Sequence, residues 1–276
     1  MVDMYLLFDI GGTKTRIAGS EDGVSFGEPV VVRTPQNFGE AMTIYESEAK
    51  KILAGGICER AVVGVPGSRD KNDILTGSRN LRGWEGMPFR ESMERTIRCG
   101  DVVIENDASL VGLGEAVYGA GRGYDIVGYV TVSTGLGGAK IENGNVDKSS
   151  HGFEPGKMLI DGKDGPVELE EAVSGGALHK RMGVHPRDIS PDDPVWEELA
   201  TILAQGVHNL LVTWSPDVFV LGGSMIVGDP AISVASVERE LLKLKHVFPK
   251  PPVLKKAKLG DFGGLWGGLA YLANQN

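Results

Sequence analysis

Asn106 and Asp107 follow directly on Val102-Val103-Ile104-Glu105, a run rich in β-branched residues, and lead into Ala108–Val117, which has helical character. That order puts an amide and a carboxylate at the carboxyl end of a buried strand, where open α/β sheets bind ligands. A carboxylate there can accept a proton from a hydroxyl group. The same residue types are favoured as helix N-caps, so capping alone is the competing reading. Three glycine-rich breaks accompany the pair. Asp9 interrupts the apolar run Met4–Ile10, and Gly11-Gly12-Thr13-Lys14 follows it. Ile126–Ser133 runs into Thr134-Gly135-Leu136-Gly137-Gly138, and Val218–Leu221 runs into Gly222-Gly223. Paired glycines let backbone amides line a concavity suited to anions such as phosphate. A plain β-hairpin explains the first of these breaks equally well. No GxxxxGK[ST] loop is present, and no GxGxxG opens a helix after a strand.

The elements that must position these residues follow from periodicity. Strands are expected at Met4–Ile10, Thr13–Gly19, Val30–Arg33, Ala61–Val65 and Val102–Ile104, with helices at Phe38–Ala54 and Phe89–Arg98. The order is βββαβαβα, helices covering a mixed sheet. Ser78–Trp84 reads as a polar loop. In the second half, strand, glycine tip and return strand recur at Ile126–Ile141, a weak internal repeat of the first hairpin. Asp161–Val167 reads as turn-rich, and Leu169 starts a helix that Gly175 and Gly176 cut short. Trp196–Thr213 reads as a long amphipathic helix, Ile232–Leu244 and Gly263–Ala273 as further helices.

The chain has 276 residues, 41% hydrophobic and 24% charged, with a net charge of −9. That composition fits a globular protein of two domains and argues against a nucleic-acid-binding surface. The locally basic run Lys243–Lys258 reads as a solvated loop and strand. Cys58 and Cys99 show no metal-ligand spacing and read as free thiols of a reducing cytosol. Met1-Val-Asp-Met lacks the basic flank of a secretory leader, and no apolar run is long enough for a membrane span. A cytoplasmic protein without membrane partners is the expectation.

The ordered set Asp9–Gly19, Glu105-Asn-Asp107, Thr131–Gly138 and Val220-Leu-Gly-Gly223, joined by Asn80-Leu-Arg-Gly-Trp84 and Gly119–Gly123, resembles the ROK family of sugar kinases and related repressors, within the actin-like ATPase superfamily. The resemblance implies an α/β fold of two actin-like (ribonuclease H-like) domains with a ligand cleft between them: a small domain over 1–107, a larger one over 108–262, and a C-terminal helix near 263–276 packing back on the first. It implies ATP cradled by Gly11, Gly12, Thr13 and Lys14 from one side and by Thr134, Gly135 and Gly137 from the other, with Gly222 and Gly223 against the adenosine. Asp9 would face Mg²⁺ through water. Asn106, Asp107, Glu154 and Glu170 would hold the sugar, with Gly67 and Asn80 beside them and Asp107 as general base. The chain departs from the family where Lys157 replaces a customary His, and where Asp161–Leu169 lacks the cysteines of a zinc loop. His151, His179 and His185 do not replace them, so no structural zinc is expected. Lys157 either donates to a sugar hydroxyl or pairs with Glu154. The expected activity is a hexokinase- or glucokinase-type phosphotransfer to the 6-hydroxyl of a glucose-like hexose. The alternatives are an N-acetylhexosamine (N-acetylmannosamine) kinase and a non-catalytic sugar-binding protein. A repressor is disfavoured, because a first strand at residue 4 leaves no room for a DNA-binding segment. A homodimer is expected by resemblance alone.

Overall fold

The computed structural model describes residues 3–78, 80–147, 149, 152–162, 165–244, 248 and 252–274. Arg79, His151, Lys163, Asp164, parts of the basic run and the last two residues lie outside the described residues. In chain order the elements are β1 (Asp3–Ile10), β2 (Lys14–Ser20), β3 (Val30–Arg33), α1 (Phe38–Leu53), β4 (Ile57–Val65), β5 (Ser68–Arg69), β6 (Leu75–Gly77), α2 (Phe89–Ile97), β7 (Val102–Asn106) and α3 (Asp107–Val117). There follow β8 (Ile126–Val132), β9 (Leu136–Glu142), β10 (Asn145–Val146), β11 (Leu159–Gly162), β12 (Gly165–Glu168), α4 (Leu169–Val173), α5 (Gly175–Met182) and α6 (Val195–Trp214). The chain closes with β13 (Val218–Gly222), α7 (Ser224–Val227), α8 (Val234–Leu241), β14 (Val253–Lys256) and α9 (Gly263–Ala273).

The chain divides into two compact units. The first comprises 1–114, 148–152 and 261–276, so that α9 belongs with the N-terminal elements; the second comprises 115–147 and 153–260. The first unit holds a five-stranded sheet in the order β3-β2-β1-β4-β7, the second one in the order β10-β9-β8-β13-β14. The plan is the same in both: three antiparallel strands, then two parallel neighbours. The repeat first visible in one hairpin therefore extends to a whole sheet.

The first core is aromatic where it supports the 78–84 loop. Trp84 is fully buried, stacks on Phe89 with centroids 5.9 Å apart and meets Phe38 edge-on at 5.5 Å. Its indole N–H donates to the Pro35 carbonyl at 3.1 Å. A loop that reads as polar is thus anchored from within by its last residue. In the second unit Leu199, Leu203, Val207 and Leu210 of α6 line one core-facing stripe.

Three details differ from the sequence reading. Gly175 and Gly176 start a helix rather than end one: Ser174 accepts the Ala177 N–H at 3.2 Å and caps α5. The turn-rich stretch after Met158 is the hairpin β11–β12. The segment after Gly67 is a small hairpin, β5–β6, whose tip is tied by Asp70, accepting from Asn72 N and Ile74 N at 2.8 and 2.9 Å.

That small hairpin covers a sheet edge. Among the described residues β7 pairs only with β4. The Asp101 carbonyl turns toward β4, accepting from Ala61 N at 2.9 Å, so by alternation the Val102 and Ile104 carbonyls face outward. Arg90 Nη1 donates to Val102 O, and Arg69 Nη2 donates to Ile104 O at 3.1 Å. Asp73 takes both guanidinium groups, Arg90 Nε at 2.6 Å and Arg69 Nε at 3.2 Å.

Candidate active site

In the first unit the candidate residues gather at the carboxyl ends of β1, β4 and β7. Asp9 is in register with Gly64, and Gly64 with Glu105. The turn from Gly11 to Thr13 joins β1 to β2, closed by Gly11 N donating to Lys14 O at 2.9 Å. All three turn carbonyls are engaged by protein donors. Gly11 O accepts from Thr34 Oγ1 at 2.7 Å, Gly12 O from Gln36 Nε2 at 3.3 Å and Thr13 O from Thr34 N at 2.9 Å. Occupied carbonyls suit an anion site, since their partial negative charge is answered from the protein side. The side chains of Thr13 and Lys14 are exposed. Asn80 packs on the turn, its Cβ 2.5 Å from where a side chain on Gly12 would begin. Gly67 holds φ +108°, with Ser78 Cβ 2.8 Å from the site a Cβ would occupy. One loop thus touches both glycines.

A buried hydroxyl chain supports this turn. Tyr45 O–H lies 2.8 Å from Thr15 Oγ1, which lies 2.9 Å from Thr34 Oγ1. A carbonyl cannot donate, so Thr34 must donate to Gly11 O; Thr15 then donates to Thr34, and Tyr45 to Thr15. Burial pushes the Tyr45 phenol upward, which keeps its proton in place. Thr34→Val breaks this order at its last link: Gly11 O loses its donor, and Thr15 loses the acceptor for its proton while keeping Tyr45. The expected cost is about 1–3 kcal/mol of stability, with a several-fold rise in KM for the phosphoryl donor and a smaller change in kcat. Thermal melting and a donor titration check both.

Asp9 is nearly buried, and its pKa rises to about 6 because burial outweighs the Arg16 guanidinium at 3.6 Å, with Asp261 adding to the rise. Its side chain fills the space where a Cβ on Gly264, at the start of α9, would stand. The Asp9–Arg16 pair is a direct cross-strand register pair, so Arg16 was readable from the hairpin, though its partnership was not drawn from the sequence.

At the end of β7, Asn106 Oδ1 accepts from Ser109 N at 3.2 Å, the bond an N-cap makes. Asp107 is the first helical residue, and its Oδ1 accepts from Ala108 N at 2.9 Å. Capping α3 is therefore the work of Asn106. The Asp107 backbone lies beside Gly64, its Cα 3.5 Å from where a Cβ on that glycine would be.

In the second unit Thr134 and Gly135 lie next to Gly222 and Gly223, at the carboxyl ends of the parallel neighbours β8 and β13. Ser133 and Ser224 join the two ends through hydroxyls 2.9 Å apart. The turn repeats the logic of the first. Ser133 O accepts from Gly175 N at 2.7 Å, Thr134 O from Gly176 N at 3.1 Å and Gly135 O from Ser133 N at 2.8 Å. Gly223 must be glycine: φ is +85°, and Thr131 Oγ1 stands 2.7 Å from the position of a Cβ. Gly137 lies in β9 opposite Thr131.

Glu154, Lys157 and Glu170 also come together. Lys157 Nζ lies 2.7 Å from Glu168 and 3.4 Å from Glu170. Of the two roles left open for Lys157, the one pairing it with Glu154 meets these ion pairs with Glu168 and Glu170 instead, because the 3₁₀ turn Pro155–Lys157 carries the ammonium toward the end of β12. Glu170 is buried and accepts from Leu136 N at 2.8 Å, bracing the glycine turn. Burial and the nearby Glu170 raise the Glu154 pKa, and Lys157 opposes them.

The ROK family model matches residues 5–276. The chain belongs to the ROK family. The N-acetyl-D-glucosamine kinase of Escherichia coli O1:K1 is 27% identical over 96% of this ROK chain and 97% of its own length. The ROK hexokinase of Thermus thermophilus superposes with TM-score 0.81 at 27% identity, over 99% of both chains. A ROK glucokinase from Streptomyces griseus, solved with glucose and AMPPNP, shares the fold with TM-score 0.79 at 24% identity, covering 99% of this chain and 100% of its own. The two sheets of this ROK chain are those of the actin-like ATPase fold.

Proposed function

We propose that this ROK chain is an ATP-dependent sugar kinase that transfers the γ-phosphoryl group of ATP to the 6-hydroxyl of a hexose, with Asp107 as general base. The observation that carries the reading is the division of labour at the end of β7: Asn106 makes the cap bond, so a carboxylate at 107 is not explained by capping. The two turns with fully engaged carbonyls supply the complementary half, surfaces suited to phosphate. The resemblance assigns Gly11–Lys14, Thr134, Gly135 and Gly137 to the phosphates, Gly222 and Gly223 to the adenosine, and Gly67, Asn80, Asn106, Glu154, Lys157 and Glu170 to the sugar side. Lys157 and Glu170 satisfy each other in this arrangement, and Glu170 serves the sugar side chiefly by fixing the turn at Leu136.

Asp107 takes the proton of the 6-hydroxyl as its oxygen bonds to the γ-phosphorus and the bond to the β-phosphate oxygen breaks, releasing ADP. The N-terminal end of α3 favours a negative charge at this position, and in a loose transition state positioning of the hydroxyl is the larger part of what the residue supplies. No three His, Cys, Asp or Glu side chains converge as a metal cage among the described residues. Mg²⁺ held mainly by phosphate oxygens needs only one such carboxylate. Asp9 fits: its burial cost is one that a cation relieves. When bound, Mg²⁺ neutralises charge on the phosphates.

A coupled ADP-release assay over glucose, other hexoses and N-acetylhexosamines, with ATP and Mg²⁺, tests the reading. Turnover stimulated by one sugar, with product phosphorylated at the 6-position, is the expected result. The same assay separates a glucose kinase from an N-acetylmannosamine kinase. Absence of stimulation by any sugar overturns the kinase reading in favour of a binding protein.

A further inference from the structure

The arginines along β7 differ in what they hold. Arg90 sits over Val102, the first residue of the strand. Arg69 sits over Ile104, with its Nη2 4.0 Å from the Glu105 carboxylate, immediately before Asn106 and Asp107. Its side chain is largely buried, and its Nη1 has no hydrogen-bond partner among the described residues. Retaining a buried, incompletely satisfied cation costs free energy that an apolar residue would avoid. Edge cover is a role Arg69 shares with Arg90; what sets Arg69 apart is its place against the Glu105 carboxylate. Glu105 is attracted by Arg69 and repelled by Asp73 of the same hairpin, with Tyr271 of α9 also near it, so Arg69 is the group that draws it to the β5–β6 hairpin.

We propose that Arg69 is a positioning residue for the phosphoryl transfer: by tying the Ile104 carbonyl and the Glu105 carboxylate to the β5–β6 hairpin, it fixes the strand end that presents Asn106 and Asp107. The inference rests on the reading of Asp107 as the base. Small displacements of a catalytic group lower the rate steeply, while contacts made elsewhere with the donor are untouched. The effect of Arg69 should therefore fall on sugar turnover and not on the use of water as acceptor.

The test compares Arg69→Met, Arg69→Lys, Arg90→Met and Asp107→Asn, with glucose, N-acetylglucosamine and N-acetylmannosamine as acceptors and with no sugar. For Arg69→Met, kcat with sugar should fall about tenfold or more. KM for ATP should stay within about twofold, and sugar-independent ATP hydrolysis should match the parent. Arg69→Lys keeps a charge facing Asp73 and Glu105 but loses the guanidinium fork, so its kcat should lie between the two. Arg90→Met removes an edge contact of the same kind farther from Asp107, and should lower the melting temperature while keeping kcat. Equal loss of kcat in Arg69→Met and Arg90→Met, or a parallel fall in ATP hydrolysis, shows general loosening and overturns the proposal. If Asp107→Asn abolishes sugar turnover while Arg69→Met leaves it intact, only the positioning role fails. If Asp107→Asn turns over like the parent, the base reading fails and this inference goes with it.

Discussion

Asp107→Asn should lower kcat for sugar phosphorylation by about 10²–10⁴-fold, the range that a positioned general base supplies. The exchange preserves shape, and the amide oxygen can still accept from Ala108 N, as Asp107 does now. Asn106 continues to cap α3 through Ser109 N. The melting temperature should therefore stay near that of the parent, and KM for sugar should change little. Loss of kcat with retained sugar binding is the signature of an interaction realised in the transition state. The coupled ADP-release assay and a sugar-binding titration measure the two halves separately. A variant that turns over at the parental rate would return Asp107 to a purely structural role.

The second large effect has opposite signs in stability and activity. Asp9 is an acid whose pKa rises from 3.8 to about 6 on burial. The ionised form is thus penalised by folding. The penalty is absent below the unfolded pKa, grows as pH rises between these values and is complete above the upper one. Two pKa units correspond to on the order of 2–3 kcal/mol. Asp9→Asn should therefore melt several degrees above the parent at pH 7.5 in Mg²⁺-free buffer, with the gap closing toward pH 4. Arg16 retains a second partner in Asp261, 3.7 Å away. The variant should meanwhile lose most of its Mg²⁺-dependent turnover, because the carboxylate proposed to face the metal is gone. A variant less stable than the parent at pH 7.5 would show that the burial penalty is not there. The trade of stability for a charge at a functional position is a general pattern.

What the sequence made legible follows from range. The carboxyl ends of β1, β7, β8 and β13 were visible to within two residues because the apolar runs ending at Ile10, Ile104, Val132 and Leu221 stop abruptly at glycine, Glu or Ser, a signal confined to neighbouring residues. Position 107 was visible for the same reason, but not which of Asn106 and Asp107 caps the helix; that depends on which side chain reaches the amide of Ser109. The hydroxyl chain from Tyr45 through Thr15 to Thr34 was hidden, since its partners lie 30 and 19 residues apart and neither threonine stands out within or beside its strand. The ion pairs of Lys157 with Glu168 and Glu170 were hidden because spacing does not reveal the direction of a 3₁₀ turn. The start of α5 was hidden because glycine is the poorest common helix former; here the amides of Gly175 and Gly176 are spent on the turn at Ser133 and Thr134 instead.

The two arginines that cover the outer edge of β7 also bear on how the molecule behaves in a crowd. An uncovered strand is a template for another chain, and a β-branched run such as Val102–Ile104 is adhesive. With the outward carbonyls of residues 102 and 104 already accepting from arginine, that edge has lost its acceptors for an incoming strand. At the opposite margin β3 is four residues long and ends in Arg33. Neither margin of the sheet is a ready seed for polymerisation. A chain stripped of both Arg69 and Arg90 would fold with a bare flank, and its loss would show as concentration-dependent light scattering of a native-like protein.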